Sequence, residues 1–299
     1  MRIGTHGRSL HLASAHVVAD ILARMQALGL TPVVEAGLAE RLQAAGKPLP
    51  PDAQVMTTVD EAGLDLLISF GGDGSFLDGV TFVGRSGVPI MGINLGRLGF
   101  LSNVRLEDAD AALEAIRSGR YAIEERSMLS LSGVGDAFGD QAFALNEVSL
   151  HRRDSSSMIA VHAYLDDRFL NTYWADGLII ATPTGSTAYS LSCGGPLLDP
   201  ACDAMVVTPI AAHNLNVRPF VVPGSSTLRL TAEVRGDKYL VNLDSRNITL
   251  EHPQELVVRR ADHRVRLAHL EGQSFLDTLR TKLAWGLDVR SAPVQQGKP

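Results

Sequence analysis

The chain has 299 residues, 45% hydrophobic and 20% charged, with a net charge of −6 and an isoelectric point near 5.8. That length and apolar content suit about two globular domains. The negative balance, with Arg152-Arg153 and Arg259-Arg260 as isolated pairs and no basic stripe, argues against nucleic acid as a partner.

In chain order, residues 1–5 read as a first strand. Leu12, Val17, Ile21, Leu22, Met25 and Leu28 then fall near helical spacing, with Gly29 as a cap. Thr31–Val34 reads as a strand, Leu38–Ala45 as a short helix, and Pro48, Pro50 and Pro51 mark a loop. Leu66–Phe70 is an apolar run typical of a buried strand, followed by a helix over Phe76–Val83 and a further strand over Val88–Ile93. This alternation predicts a parallel, doubly wound sheet to about residue 100. Glu107–Arg117 adds a helix ended by Gly119.

From Tyr121 the pattern changes to short β-branched and aromatic runs: Ala142–His151, Ile159–Leu165, Phe169–Trp174, Leu178–Ala181, Met205–Ile210, Thr227–Val234, Tyr239–Leu243, Glu255–Arg259 and Val265–Leu270. Gly139-Asp140, Asp166-Asp167 and Gly236-Asp237 are turn signals between such runs. The expected architecture is an α/β domain over residues 1–105 and a larger, mostly antiparallel β domain over 106–271. A C-terminal helix from Phe275 to Trp285 would return to the first domain within a 272–299 segment, with a disordered tail at 292–299. Without an apolar leader or a membrane-length apolar run, a soluble, cytoplasmic protein is expected. Cys193 and Cys202, outside any CxxC pattern, are expected to be free thiols.

Three stretches stand out chemically. In Gly71-Gly72-Asp73-Gly74-Ser75, glycines at a strand end let backbone N–H groups approach a phosphate. The lone carboxylate among them suits holding a metal or taking a proton beside that phosphate. The alternative is a plain tight turn. No Walker lysine and no GxGxxG at a strand–helix junction accompany it. Asp176–Tyr189 runs from an apolar strand into five hydroxyl-bearing residues, which suits a ribose, an amide or a phosphate, or simply caps a helix starting at Ser186. Asn146-Glu147 is a polar pair inside an apolar run and needs partners. The histidines show no metal-ligand spacing, and Trp174 and Trp285 read as core or interface residues.

Together these motifs resemble the NAD kinase family. The likeness rests on Gly71–Gly74, on Asn94–Leu101 with its Leu98-Gly99-Phe100-Leu101, on Asn146-Glu147, on Asp176–Ser192 followed by Gly194-Gly195-Pro196, and on Asp277–Arg280. It spans roughly residues 60–285. It implies transfer of a phosphoryl group from ATP or polyphosphate, with Mg²⁺, to the 2′-hydroxyl of the adenosine ribose of NAD. The active site would lie between the domains of a homodimer or homotetramer.

By motif, Asp73 is then the general base, and Gly71, Gly72, Gly74 and Ser75 form the donor-phosphate loop. Gly74 and Phe100 lie near the dinucleotide. Asn146 and Glu147 contact its ribose, and Asp176 is a further contact. Thr187, Ala188, Tyr189, Ser190, Leu191 and Ser192 line the adenosine side. Three positions depart from the commoner pattern. Ser75 replaces Thr and keeps the hydroxyl. Trp174 stands where relatives often have Arg. Arg246 stands where many have Gln, a donor replacing a donor–acceptor amide. A lipid or sugar kinase on the same glycine loop, or a non-catalytic NADP-binding sensor, is the alternative reading.

Overall fold

The computed structural model describes residues 1–8, 12–60, 62–96, 99–153, 158–234, 238–251 and 254–284. The expectations placed on Leu98, Gly236-Asp237, Trp285 and the tail lie outside them.

The first half is the expected alternation. It runs β1 (Arg2–His6), α1 (Leu12–Ala27), β2 (Thr31–Glu35), α2 (Ala36–Ala44), β3 (Gln54–Met56), β4 (Leu66–Phe70), α3 (Asp73–Val83) and β5 (Ile90–Asn94). A two-residue β6 (Val104–Arg105) and α4 (Ala109–Ser118) follow. Every residue of β4 is buried, as a parallel strand covered on both faces requires. Helix boundaries follow local chemistry. Glu35 caps α2 by accepting from Gly37 N–H and Leu38 N–H, each at 2.8 Å. Gly119 ends α4 in the left-handed region.

The second half supplies β7 (Tyr121–Ser132), β8 (Phe143–Ala144), β9 (Glu147–Arg152), β10 (Ile159–Leu165), β11 (Arg168–Ala175) and β12 (Gly177–Ala181). A one-turn α5 (Tyr189–Ser192), β13 (Ala204–Ile210), β14 (Phe220–Pro223), β15 (Leu228–Val234), β16 (Lys238–Leu243), β17 (Arg246–Glu251), β18 (Glu255–Leu270) and α6 (Phe275–Leu283) complete it. The predicted Asp166-Asp167 turn is a two-residue hairpin with both residues at positive φ. Ser274 caps α6, its Oγ accepting from Asp277 N–H at 3.2 Å.

Two sheets carry the structure among the described residues. A twelve-stranded mixed sheet runs β11-β10-β15-β18-β5-β4-β1-β2-β3, with β6, β7 and β8 attached off that path. A six-stranded antiparallel sheet runs β14-β13-β12-β9-β16-β17. Between the sheets lies a core built from Val148, Leu150, Leu178, Ile180 and Tyr239 on one side and Ile159, Val161, Leu228 and Leu230 on the other. A second core holds α1, α2 and α4 on one face of the parallel strands, and a third holds α3 on the opposite face.

The sequence suggests two strands, Glu255–Arg259 and Val265–Leu270; the structure has one sixteen-residue strand. Its register against β7 shifts between Arg260 and Arg264, and this bulge accounts for the interrupted pattern. Leu256 and Val258 enter the sandwich core, whereas Val265, Leu267 and Ala268 enter the cores of the α/β half. The two halves therefore share a strand.

Candidate active site

The glycine stretch is not a free loop. Helix α3 begins at Asp73, three residues before the expected Phe76, so Asp73 and Gly74 occupy its first turn with Gly72 as N-cap. Parallel pairing of β1, β4 and β5 sets this helix start at their carboxyl ends. A carboxylate is electrostatically favoured at a helix N-terminus. Gly72 and Gly74 are exposed, and an added Cβ on either would meet nothing.

The Asp73 carboxylate accepts three consecutive backbone N–H groups, Phe100 at 2.8 Å and Leu101 and Ser102 at 3.0 Å. Ser102 Oγ closes the contact by donating to Gly71 O at 2.8 Å. Gly99 is required here, because a Cβ would sit 1.8 Å from Asp73 Oδ1.

A second carboxylate repeats the arrangement. Asp244, in the left-handed turn between β16 and β17, accepts from Leu145 and Asn146 N–H at 2.8 Å and from Glu147 N–H at 3.1 Å. Burial pushes the Asp244 carboxyl up, and those three amides oppose the rise. The next residue, Ser245, donates to Asp78 Oδ1 at 3.0 Å, and Asp78 lies on α3 five positions beyond Asp73. One hairpin turn thus ties the Asn146-Glu147 pair to the helix that carries Asp73. Arg8, just past β1, bonds the same Asp78 at 3.1 Å.

The polar pair resolves into two roles. Asn146 precedes β9, and its C=O accepts from Thr182 N–H at 2.9 Å. Glu147 opens β9, whose alternation sends Val148 and Leu150 into the core. Glu147, Ser149 and His151 share the other face, opposite Ala181, Ile179 and Gly177 of β12. His151 stacks on Tyr189 of α5 with ring centroids 5.7 Å apart. Arg152 pairs with Asp176 at 2.9 Å where β11 passes into β12. Burial pushes the Glu147 carboxyl up to about 8, Asp244 adds to the rise, and a bond from Tyr189 N–H opposes it. Glu147 Oε2 is buried with no partner.

The hydroxyl-rich block is largely self-satisfied. Thr182 Oγ1 donates to Leu145 O at 2.6 Å and accepts from Gly185 N–H at 3.0 Å. Ser186 is spent on Pro183 O and Leu198 N–H, and Thr187 Oγ1 donates to Thr184 O at 3.0 Å. The helix expected from Ser186 is instead a 3₁₀ turn over Thr184–Thr187 followed by the single turn of α5. Gly185 packs so closely that a Cβ would lie 2.0 Å from Asn146 O.

Two family profiles match the chain: the ATP-NAD kinase N-terminal domain over residues 11–121 and the ATP-NAD kinase C-terminal domain over 145–270. An NAD kinase of Cytophaga hutchinsonii is 41% identical over 292 residues, covering 97% of this chain and all of that protein. The chain belongs to the NAD kinase family. Two solved folds are similar: yeast NADH kinase complexed with NADH (TM-score 0.85, 23% identity, 98% of this chain and 90% of that one) and an Archaeoglobus fulgidus NAD kinase in complex with ATP (TM-score 0.72, 23% identity, 95% and 99%).

Within this NAD kinase family member, the structure draws Asp73, Gly74, Phe100, Asn146 and Glu147 into one connected network through Asp78, Asp244 and Ser245. Asp176 and Tyr189 join Glu147 at the β9 face. One expectation needs correction. Ser190 is fully buried against Thr208 Oγ1 at 2.8 Å, so it packs inward rather than lining a ligand surface. The Arg246 guanidinium is engaged by Gln141 O and Phe143 O and lies over the Phe138 and Phe143 rings. Trp174, expected in a core or an interface, is 44% exposed on the edge strand β11. Ala188 and Leu191 are half-buried and Ser192 exposed. Asp244, Ser149 and His151 escape sequence reading, although period two from Glu147 marks the last two. No helix among the described residues is long and apolar enough to cross a membrane. Cys193 and Cys202 are free thiols.

Glu147 sets a testable pH dependence. Its carboxyl holds a proton to about pH 8 when folded, against an ordinary value of 4.5. The folded chain therefore binds the extra proton across that window, and stability falls as pH rises through it. Glu147→Gln removes the titration. Its Tm is expected to exceed the parent's by more at pH 8 than at pH 5; parallel Tm–pH curves for the two proteins would contradict this.

Proposed function

We propose that the chain phosphorylates the 2′-hydroxyl of the adenosine ribose of NAD, using ATP or polyphosphate as donor. The observation that carries this reading is Asp73: a carboxylate in the first turn of a helix at the carboxyl end of a parallel strand, flanked by exposed glycines. The helix N-terminus and the bare backbone of Gly71–Gly74 suit the donor phosphates. A secondary hydroxyl is a poor nucleophile at neutral pH and gains from a positioned base. Among the described residues Asp73 Oδ2 accepts only the Phe100 N–H, which leaves a lone pair for the ribose proton.

A divalent cation such as Mg²⁺, carried in on the donor phosphates, would neutralise their charge beside the helix N-terminus. The β9 face offers the dinucleotide the Asp176 carboxylate, the protonated Glu147 carboxyl as a donor and acceptor, and an aromatic platform in His151 and Tyr189. The two similar structures, determined with NADH and with ATP, support ligands of these two classes. The exposed edge around Trp174 and Phe220 suits contact with a second copy in a homodimer or homotetramer.

An assay for NADP⁺ formed from NAD⁺, or NADPH formed from NADH, run with ATP or polyphosphate, tests the reading and fixes the donor. Product with at least one donor is expected. Binding of NADP⁺ in a thermal-shift assay with no turnover under any combination would instead identify a sensor.

A further inference from the structure

We propose that Arg126 is a positioning residue for phosphoryl transfer, acting through Thr184 to hold the Thr184–Ser192 segment against the loop that grips Asp73. The inference rests on the kinase reading above.

Arg126 is 6% exposed, on a strand whose next inward residue is the buried Met128. Its guanidinium donates to Glu124 Oε2 at 2.7 Å and to Thr184 Oγ1 at 3.2 Å, while its buried Nε has no partner among the described residues. An orphaned donor on a buried cation lowers stability, and an apolar side chain there would avoid the cost. Packing alone does not account for the residue.

Its connections lead to both halves of the site. Thr184 opens the turn that runs to Tyr189, and its own C=O holds Thr187. Glu124 Oε2 lies 3.3 Å from His269 Nε2, on the neighbouring strand β18. His269 Nδ1 faces Asn103 Nδ2 at 2.9 Å, so His269 and Asn103 carry the link into the loop whose Phe100, Leu101 and Ser102 amides bind Asp73. Phe100, Asn103, Glu124 and Arg126 line one small cavity of about 30 Å³, together with Phe275 and Thr278 of α6. Burial would raise the Glu124 carboxyl, yet bonds from His269 and Arg126 hold it at about 2, so the anion that steadies Arg126 persists at working pH.

In-line transfer needs the acceptor hydroxyl and its base fixed relative to one another, and a misplacement of about 1 Å costs on the order of 10²-fold in rate. Steady-state kinetics with NAD and ATP varied, with Tm measured alongside, test the inference on Arg126→Met, Arg126→Lys, Thr184→Val, Thr184→Ser and the Arg126→Lys/Thr184→Val double variant. Arg126→Met is expected to lower kcat about 10²-fold and Thr184→Val about tenfold, with smaller changes in the KM for ATP. Lysine and serine, which keep a donor and an acceptor, restore part of each loss. The double variant loses less than the product of its two single losses, because both act through one contact.

Values of kcat within about twofold of the parent in folded Arg126→Met and Thr184→Val, or losses that multiply, would overturn the inference. Should Arg126→Met fail to fold, the two Thr184 variants and Arg126→Lys decide. An inactive parent chain would overturn the kinase reading and this inference with it; an active parent with unmoved variants would overturn the inference alone.

Discussion

Asp73→Asn is expected to lower kcat for NADP⁺ formation by about 10³-fold, in the upper part of the range for a lost general base. The substitution removes the proton acceptor but keeps the size of the side chain. The structure adds a second effect. Asp73 accepts three backbone N–H groups from Phe100–Ser102, and an amide can present an oxygen to only part of that set. Its NH₂ would face an N–H donor, so the Phe100 loop loosens. NAD affinity should therefore fall only a few-fold while turnover nearly vanishes. The check is a coupled assay at saturating substrate together with calorimetric NAD binding. Turnover within tenfold of the parent would reject Asp73 as the base and leave it only the loop contact.

The second large effect is expected at Asp244. This half-buried carboxylate serves Leu145, Asn146 and Glu147 amides at once. Asp244→Ala strands three consecutive donors, and even with water entering, a cost of about 3 kcal/mol follows. For a chain of this size that is roughly a 5 °C fall in Tm. The variant should also bind NAD weakly, because Glu147 is then misplaced. Asp244→Asn keeps one acceptor oxygen and should fall between the two. Thermal unfolding of the three proteins checks the order; a Tm within about 2 °C of the parent for Asp244→Ala would refute the role.

These two residues show what a sequence discloses and what it withholds. Asp73 was legible because glycines beside a lone carboxylate at a strand end have few purposes. The central parallel strand was legible because Leu66–Phe70 is a nearly continuous apolar run, whereas β1, with Arg2, Thr5 and His6, reads as a strand mainly from its place in the alternation. Asp244 was not, since nothing local distinguishes a turn aspartate from one that accepts amides a hundred positions away. The hairpin β16–β17 was missed with it, because β17 alternates exposed and half-buried positions and its signal is weak. Arg126 hid for a similar reason: it follows Glu124-Glu125 in a polar stretch that reads as solvated surface. The hydroxyls of Thr182–Ser190 were visible but misleading, since most are consumed by their own backbone.

The strand β18 has a consequence for synthesis. Its register with β5 places Leu267 beside Ile90, 177 positions earlier in the chain. While a nascent chain emerges, the α/β layers can collapse long before β18 exists, and the start of β5, on the flank that β6 covers only at Ile93 and Asn94, then lacks its partner. At about 5–20 residues per second that edge would wait roughly 9–35 s on the ribosome, a template for unwanted strand pairing. The last strand made thus closes the sheet begun by the first, which makes the late C-terminal third a point of vulnerability to premature termination.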